Sequence, residues 1–255
     1  MASRLAFWRR EEQDAQSLEQ HPKPGLLSDF ILGSQDGLVN VLGVILGVAV
    51  AAQAQAASAA LRIVLAGGLA ATFAESISMG AVAYTSTLAR RDHYLSEVER
   101  EKQEMRELPD LEREEVHKVF EKWGFKGANL EELTDKIVAN PTAWLEFMMA
   151  HELNLAPVDR TQARRSAVLV GMAAIVGSLI PLAPFVFLPV TGWTMFGGIL
   201  ASLIVSAITL FVIGWYKAKA TIGHPGRSGA QMLLIGIASA IAGFAIAYLV
   251  GAAGG

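Results

Sequence analysis

Five stretches of this sequence, about 28–53, 61–89, 165–187, 192–216 and 229–252, are each long and apolar enough to cross a bilayer. That constrains the fold more than anything else in the chain. A span needs ~20 mostly apolar residues, and inside lipid each backbone polar group must be satisfied within its own segment. Helices are the solution for segments of this length. The 255 residues are 53% hydrophobic, with a mean hydropathy of +0.39. The third and fifth stretches are apolar on every face, whereas buried helices of a soluble protein would be amphipathic. The expected fold is an all-α integral membrane protein of five transmembrane helices, with a three-helix lobe on the cytosolic side.

The lysines and arginines set the expected orientation. Of 21 basic residues, 20 fall on one side of a five-span chain, and only Arg62 falls on the other. The positive-inside rule then places the N-terminus in the cytosol and the C-terminus outside. The expected divisions are a cytosolic N-terminal arm over 1–25, spans one and two over 26–90, a cytosolic helical block over 91–160, and spans three to five over 161–255. Trp193 and Trp215 stand near opposite ends of the fourth span, as interfacial anchors do. Pro181, Pro184 and Pro189 lie toward the outer end of the third, where they either kink the helix or end it.

Two acids lie inside the apolar stretches. Asp36 is in the first and Glu75 in the second. A charge at bilayer depth costs at least ~2.5–3.5 kcal/mol on insertion scales, so such residues face a protein interior or an ion route. With ~1.5 Å of rise per residue, Asp36 and Met79 fall at similar depth, and Glu75 lies one turn beyond Met79 on the same face. Asp29, nearer the edge, reads as an interfacial or capping group. Gly33 with Gly37, and Gly43 with Gly47, give the first span small-xxx-small spacings that permit close helix approach.

The block 91–160 has a different character. It holds 17 acidic against 10 basic residues. Its punctuation predicts one helix running from the second span to Leu108, stopped by Pro109. A second helix is expected over about 111–123, capped by Asp110 and ended by Gly124. A third opens on an Asn129–Glu132 capping box and is broken at Asn140-Pro141, before a last segment ending near Pro157. Glu101 with Glu104, and Glu112 with Glu115, are spaced i,i+3, which puts each pair on one face. Met148 and Glu152 are spaced i,i+4. Together these six offer hard oxygens and a thioether, a mixture suited to Fe²⁺ and neighbouring divalent metals. On spacing alone, the same acids also read as the solvated faces of exposed helices.

Cysteine is absent, which excludes disulfides, thiolate metal sites and iron–sulfur clusters. The first 25 residues contain no apolar core of a signal peptide. That short polar start favours a bacterial plasma membrane over an organelle membrane.

The runs SDFILGSQDGLVNVLGVILGVA (28–49) and AESISMGAVAYTSTLARRDHY (74–94) resemble the first two spans of the vacuolar iron transporter family, and 101–152 resembles its cytosolic metal-binding domain. The resemblance implies a five-span homodimer that moves Fe²⁺, with Mn²⁺ as a second cargo, out of the cytosol against protons. It implies no enzyme activity, no cofactor apart from the transported metal, and no nucleic-acid partner. It assigns Asp36, Glu75 and Met79 to the pathway, and Glu101, Glu104, Glu112, Glu115, Met148 and Glu152 to the metal domain. Where the family often has a second pathway methionine, this sequence has Ala83, so its soft-ligand count is lower.

Two other classes stand beside this reading. Glu114 and His117 form one Glu-x-x-His pair of the kind that di-iron ferroxidases use twice. A membrane-anchored metal sensor would explain the acidic lobe but not the buried acids of the spans.

Overall fold

The computed structural model describes residues 24–52 and 55–253; the expected N-terminal arm lies almost wholly outside them. Its helices are α1 (Pro24–Ala51), α2 (Ala57–Glu107), α3 (Pro109–Lys122), α4 (Ala128–Val138), α5 (Pro141–Phe147), α6 (Arg160–Thr191), α7 (Met195–Ala220) and α8 (Pro225–Ala253). A π-helical turn, Met148–Glu152, follows α5 directly. No strand occurs among the described residues. Five helices, α1, α2, α6, α7 and α8, are long and apolar enough to span a membrane. The chain is an all-α, multi-pass membrane protein.

Proline opens four helices, at Pro24, Pro109, Pro141 and Pro225. Its fixed φ suits the first helical turn, where its missing N–H has no partner to lose. Pro109 therefore does more than stop α2. It starts α3 with a single residue, Leu108, between the helices, so no Asp110 cap forms. The Asn129–Glu132 capping box also does not form, because α4 begins at Ala128 behind Gly127, without a side-chain cap. Asn140 is a true cap: its Oδ1 accepts from the backbone N–H groups of Thr142 and Ala143, at 3.1 and 3.3 Å. The three prolines of the third span sit inside α6 and do not end it. Ser202 Oγ of α7 donates to the Pro181 carbonyl, at 2.8 Å.

The chain divides into two compact units, one formed by residues up to Ser76 with those from Leu169 onward, the other by Ile77–Val168. In the first unit, α1 is the central helix. One face packs Val41, Ile45 and Ala49 against Val64 of α2 and Leu182, Phe185 and Leu188 of α6. The other face packs Leu42 and Leu46 against Ala240 of α8. Glycines let the backbones touch. A Cβ at Gly33 or Gly37 would run into the carbonyl of Val170 or Ala174, and one at Gly177 into that of Ser34. Lipid tails are as apolar as leucine, so membrane helices associate through such close packing and not through the hydrophobic effect. Small hydroxyls accordingly join the apolar core, and many large apolar side chains face outward. Ser34, Thr72, Ser178, Ser202 and Ser206 are buried, while Val176, Phe187, Phe196, Ile208, Leu234 and Ile241 are exposed.

In the second unit, Val116 and Phe120 of α3, Leu130 of α4, and Trp144, Phe147 and Met148 form one buried cluster. The α3–α4 connection turns through Gly124 and Gly127, both at positive φ, which glycine adopts without steric cost.

Candidate functional site

The 51 residues of α2 amount to about 77 Å of helix at ~1.5 Å per residue. A hydrocarbon core is only ~30 Å thick, so the polar half of this helix, from Arg90 onward, lies beyond the apolar stretch. It carries Glu101 and Glu104. The one-residue joint at Leu108 turns the chain into α3, which carries Glu112 and Glu115. Asn140 and Pro141 then start α5, whose continuation delivers Met148 and Glu152.

Three of these acids meet. A carboxylate oxygen from each of Glu101, Glu112 and Glu152 lies within 4.8 Å of the others. Glu101 is 1% exposed and Glu112 is 3% exposed, and Glu101 Oε1 and Glu112 Oε2 have no hydrogen-bond partner. Glu152 stands on the open side, and Glu104 and Glu115 are half-buried. Met148, four residues before Glu152, is fully buried and packs in the hydrophobic cluster of the unit.

Burial is the first cause that shifts these carboxyls upward. Glu101 is pushed up to about 8, first by desolvation, then by a shared proton with Glu112 and by the negative charges of Glu112, Glu152 and Glu104. Glu152 rises to about 7, through burial and then the charges of Glu115, Glu112 and Glu104. Glu112 is also raised, with burial leading and Glu115 and Glu104 adding to it, although the hydrogen bond from Glu101 opposes the shift. A divalent cation would favour the ionised forms and release those protons. Cation binding and proton release at such a cluster would be linked.

The π turn is the one element of this site with no sequence signal. Leu153 N–H donates to the Met148 carbonyl, at 3.1 Å, five residues back. Such single wide turns recur at functional sites, and here it occupies the segment that supplies Met148 and Glu152.

The other candidate acids lie in the first unit. The Glu75 carboxyl of α2 faces the side chains of Asp36 and Asn40 of α1. Asp36 and Glu75 are both half-buried. Asn40 adds to the expected set, and its only sequence signal is the i,i+4 step from Asp36. An open groove of about 470 Å³ runs beside it, with Gly43 and Gly47 of α1 and Ser239 and Gly243 of α8 in its walls. Met79 follows Glu75 by one turn along α2 and is half-buried; Asp29 is half-buried near the start of α1.

The Glu-x-x-His pair does not enter the acidic cluster. Glu114 is exposed and lies 3.9 Å from Lys118, while His117 Nε2 pairs with Glu131 Oε1, at 3.2 Å. His151 lies edge-on to Trp123, with ring centres 4.9 Å apart. His93 is on α2, 3.8 Å from Glu97.

A model of the VIT family matches residues 27–248. Vacuolar iron transporter 1 of Eucalyptus grandis is 32% identical over 241 residues, 92% of this chain and 93% of that protein. Vacuolar iron transporter 1 of Oryza sativa is 33% identical over 230 residues, 90% of this chain and 87% of that protein. Protein CCC1 of Saccharomyces cerevisiae is 25% identical over 240 residues, 91% and 71% of the two chains. With a match running through all five apolar helices and the acidic block between them, the chain belongs to the VIT family.

Proposed function

We propose that this protein is a proton-coupled divalent metal transporter that moves Fe²⁺, with Mn²⁺ as a second cargo, out of the cytosol by H⁺ antiport. The observation that carries this is the meeting of Glu101, Glu112 and Glu152, with two buried carboxylate oxygens left without partners. Buried acids side by side are costly, and a cation supplies the charge that they lack. The iron-transporter names of the relatives supply the cargo.

In this mechanism the acidic lobe, through Glu101, Glu104, Glu112, Glu115, Met148 and Glu152, takes hydrated Fe²⁺ from the cytosol and releases protons. Asp36 and Glu75, with Met79 one turn further along α2, then replace part of the ion's water in the membrane. Protonation of the pathway carboxylates from the far side completes the exchange. The protein works as a homodimer, with the N-terminus in the cytosol and the C-terminus on the far side. The vacuolar names of the plant relatives support an organelle membrane in place of the bacterial plasma membrane that was expected.

The test is Fe²⁺ flux into proteoliposomes under an imposed pH gradient, comparing wild type with Asp36→Ala. Gradient-dependent flux that disappears in the variant is expected. Undiminished flux in Asp36→Ala would refute the pathway assignment, and flux indifferent to the gradient would refute antiport.

A further inference from the structure

The lobe that carries the metal cluster is acidic, yet one corner of it is not. Residues 118–127, Lys-Val-Phe-Glu-Lys-Trp-Gly-Phe-Lys-Gly, hold three lysines and one glutamate, inside a block of 17 acids and 10 bases. The corner is the end of α3 and its turn into α4. Trp123 is 52% exposed and Phe125 is 40% exposed. Both rings rest edge-on against Phe120, with centres at 5.6 and 5.8 Å, and Trp123 also meets Phe147 and His151, so both are held in place while a large part of each stays open. Gly124 and Gly127, at φ +96° and +60°, make the tight turn that presents them. Lys122 and Lys126 are exposed and have no ion-pair partner among the described residues; Lys118 is only 3.9 Å from Glu114.

We propose that this corner docks on an anionic phospholipid surface. Exposed tryptophan and phenylalanine between free lysines are the side chains that a lipid headgroup layer accepts. Aromatic rings settle at the level of the headgroups, lysine stems follow apolar surface while their amines stay wet, and anionic lipid attracts the amines. Charge complementarity selects this occupant. An acidic lobe as a whole is repelled by such a surface, and a local positive corner with aromatic tips is the part of it that is not. The bilayer is also permanently at hand, because the lobe continues without a break from the membrane-crossing helix α2, and tethering gives a weak contact a high effective concentration. None of this rests on the metal cluster or on the direction of transport.

The absence of cysteine makes the test clean, since one introduced thiol is the sole labelling site. Phe125→Cys, carrying an environment-sensitive fluorophore, is reconstituted as full-length protein in vesicles of phosphatidylcholine alone and of phosphatidylcholine with phosphatidylserine. Glu132→Cys, on an exposed position of α4, is the control. A blue-shifted, brighter emission at position 125 in the phosphatidylserine vesicles alone is expected. High salt should abolish it, as should the added changes Lys122→Glu and Lys126→Glu. The same emission in both lipids would overturn the proposal, because contact with a second copy or with the lobe itself does not need anionic lipid. Hydrogen exchange of residues 122–127 in unlabelled protein gives an independent reading. Slower exchange in phosphatidylserine nanodiscs supports docking, and unchanged exchange overturns it.

Discussion

Replacing Glu101 by glutamine keeps the shape of the side chain and removes its charge. Folding holds the Glu101 proton up to about pH 8, whereas an ordinary glutamate releases it near 4.5. The folded state therefore binds more protons than the unfolded chain between those limits. The contribution of Glu101 to the stability of the metal-free protein is complete below pH 4.5, falls as pH rises, and is lost above about 8. The difference of ~3.5 pH units, at ~1.36 kcal/mol each, sets a ceiling of ~5 kcal/mol. Proton sharing with Glu112 spreads that figure over the pair. A thermal-shift series from pH 5 to pH 8 on the full chain in detergent should show wild type losing several degrees and Glu101→Gln losing much less. Mn²⁺, which is stable in air, should restore the wild type at pH 8, since a ligand at 100 times its Kd adds ~2.7 kcal/mol. It should restore the glutamine variant far less, because an amide brings no charge to the cation. Equal Tm profiles for the two proteins without metal, or equal rescue by Mn²⁺, would refute the account of the cluster.

Three further outcomes follow from particular contacts. Gly177→Ala places a methyl against the Ser34 carbonyl of α1 and should cost ~1–3 kcal/mol as overpacking. Gly67→Ala meets only the Val48 methyls at ordinary distance, the nearest at 3.5 Å, and should be neutral or stabilising; a thermal-shift comparison checks both. Met148→Leu conserves volume in a fully buried place and should cost less than ~1.5 kcal/mol. It also removes the sulfur, so calorimetric titration should show Fe²⁺ affinity falling more than Mn²⁺ affinity, and equal losses would exclude a thioether ligand.

Much of this molecule is legible in the residue order, for local reasons. Runs of apolar residues declare helices in lipid, and Pro109, Gly124 and Pro141 mark the joints of the lobe because their effects act within a turn. Where the sequence reading fails, competing local signals decide. Asp110 and Asn129 are good capping residues, but Pro109 and Gly127 begin the helices before they can act. The π turn at Met148–Glu152 has no signature in the residue order.

The sequence by itself determines that five helices cross a membrane, that Asp36 and Glu75 lie within them, and that paired glutamates share helix faces in an acidic block. Those are matters of composition and of period, readable one segment at a time. The tertiary structure alone decides that Glu101, Glu112 and Glu152 share one cluster while Glu114 and His117 stay outside it, and that Glu75 faces both Asp36 and Asn40. It alone seats Gly177 against Ser34. These facts depend on which faces of separate helices turn toward each other, and that choice is made by packing over the whole chain.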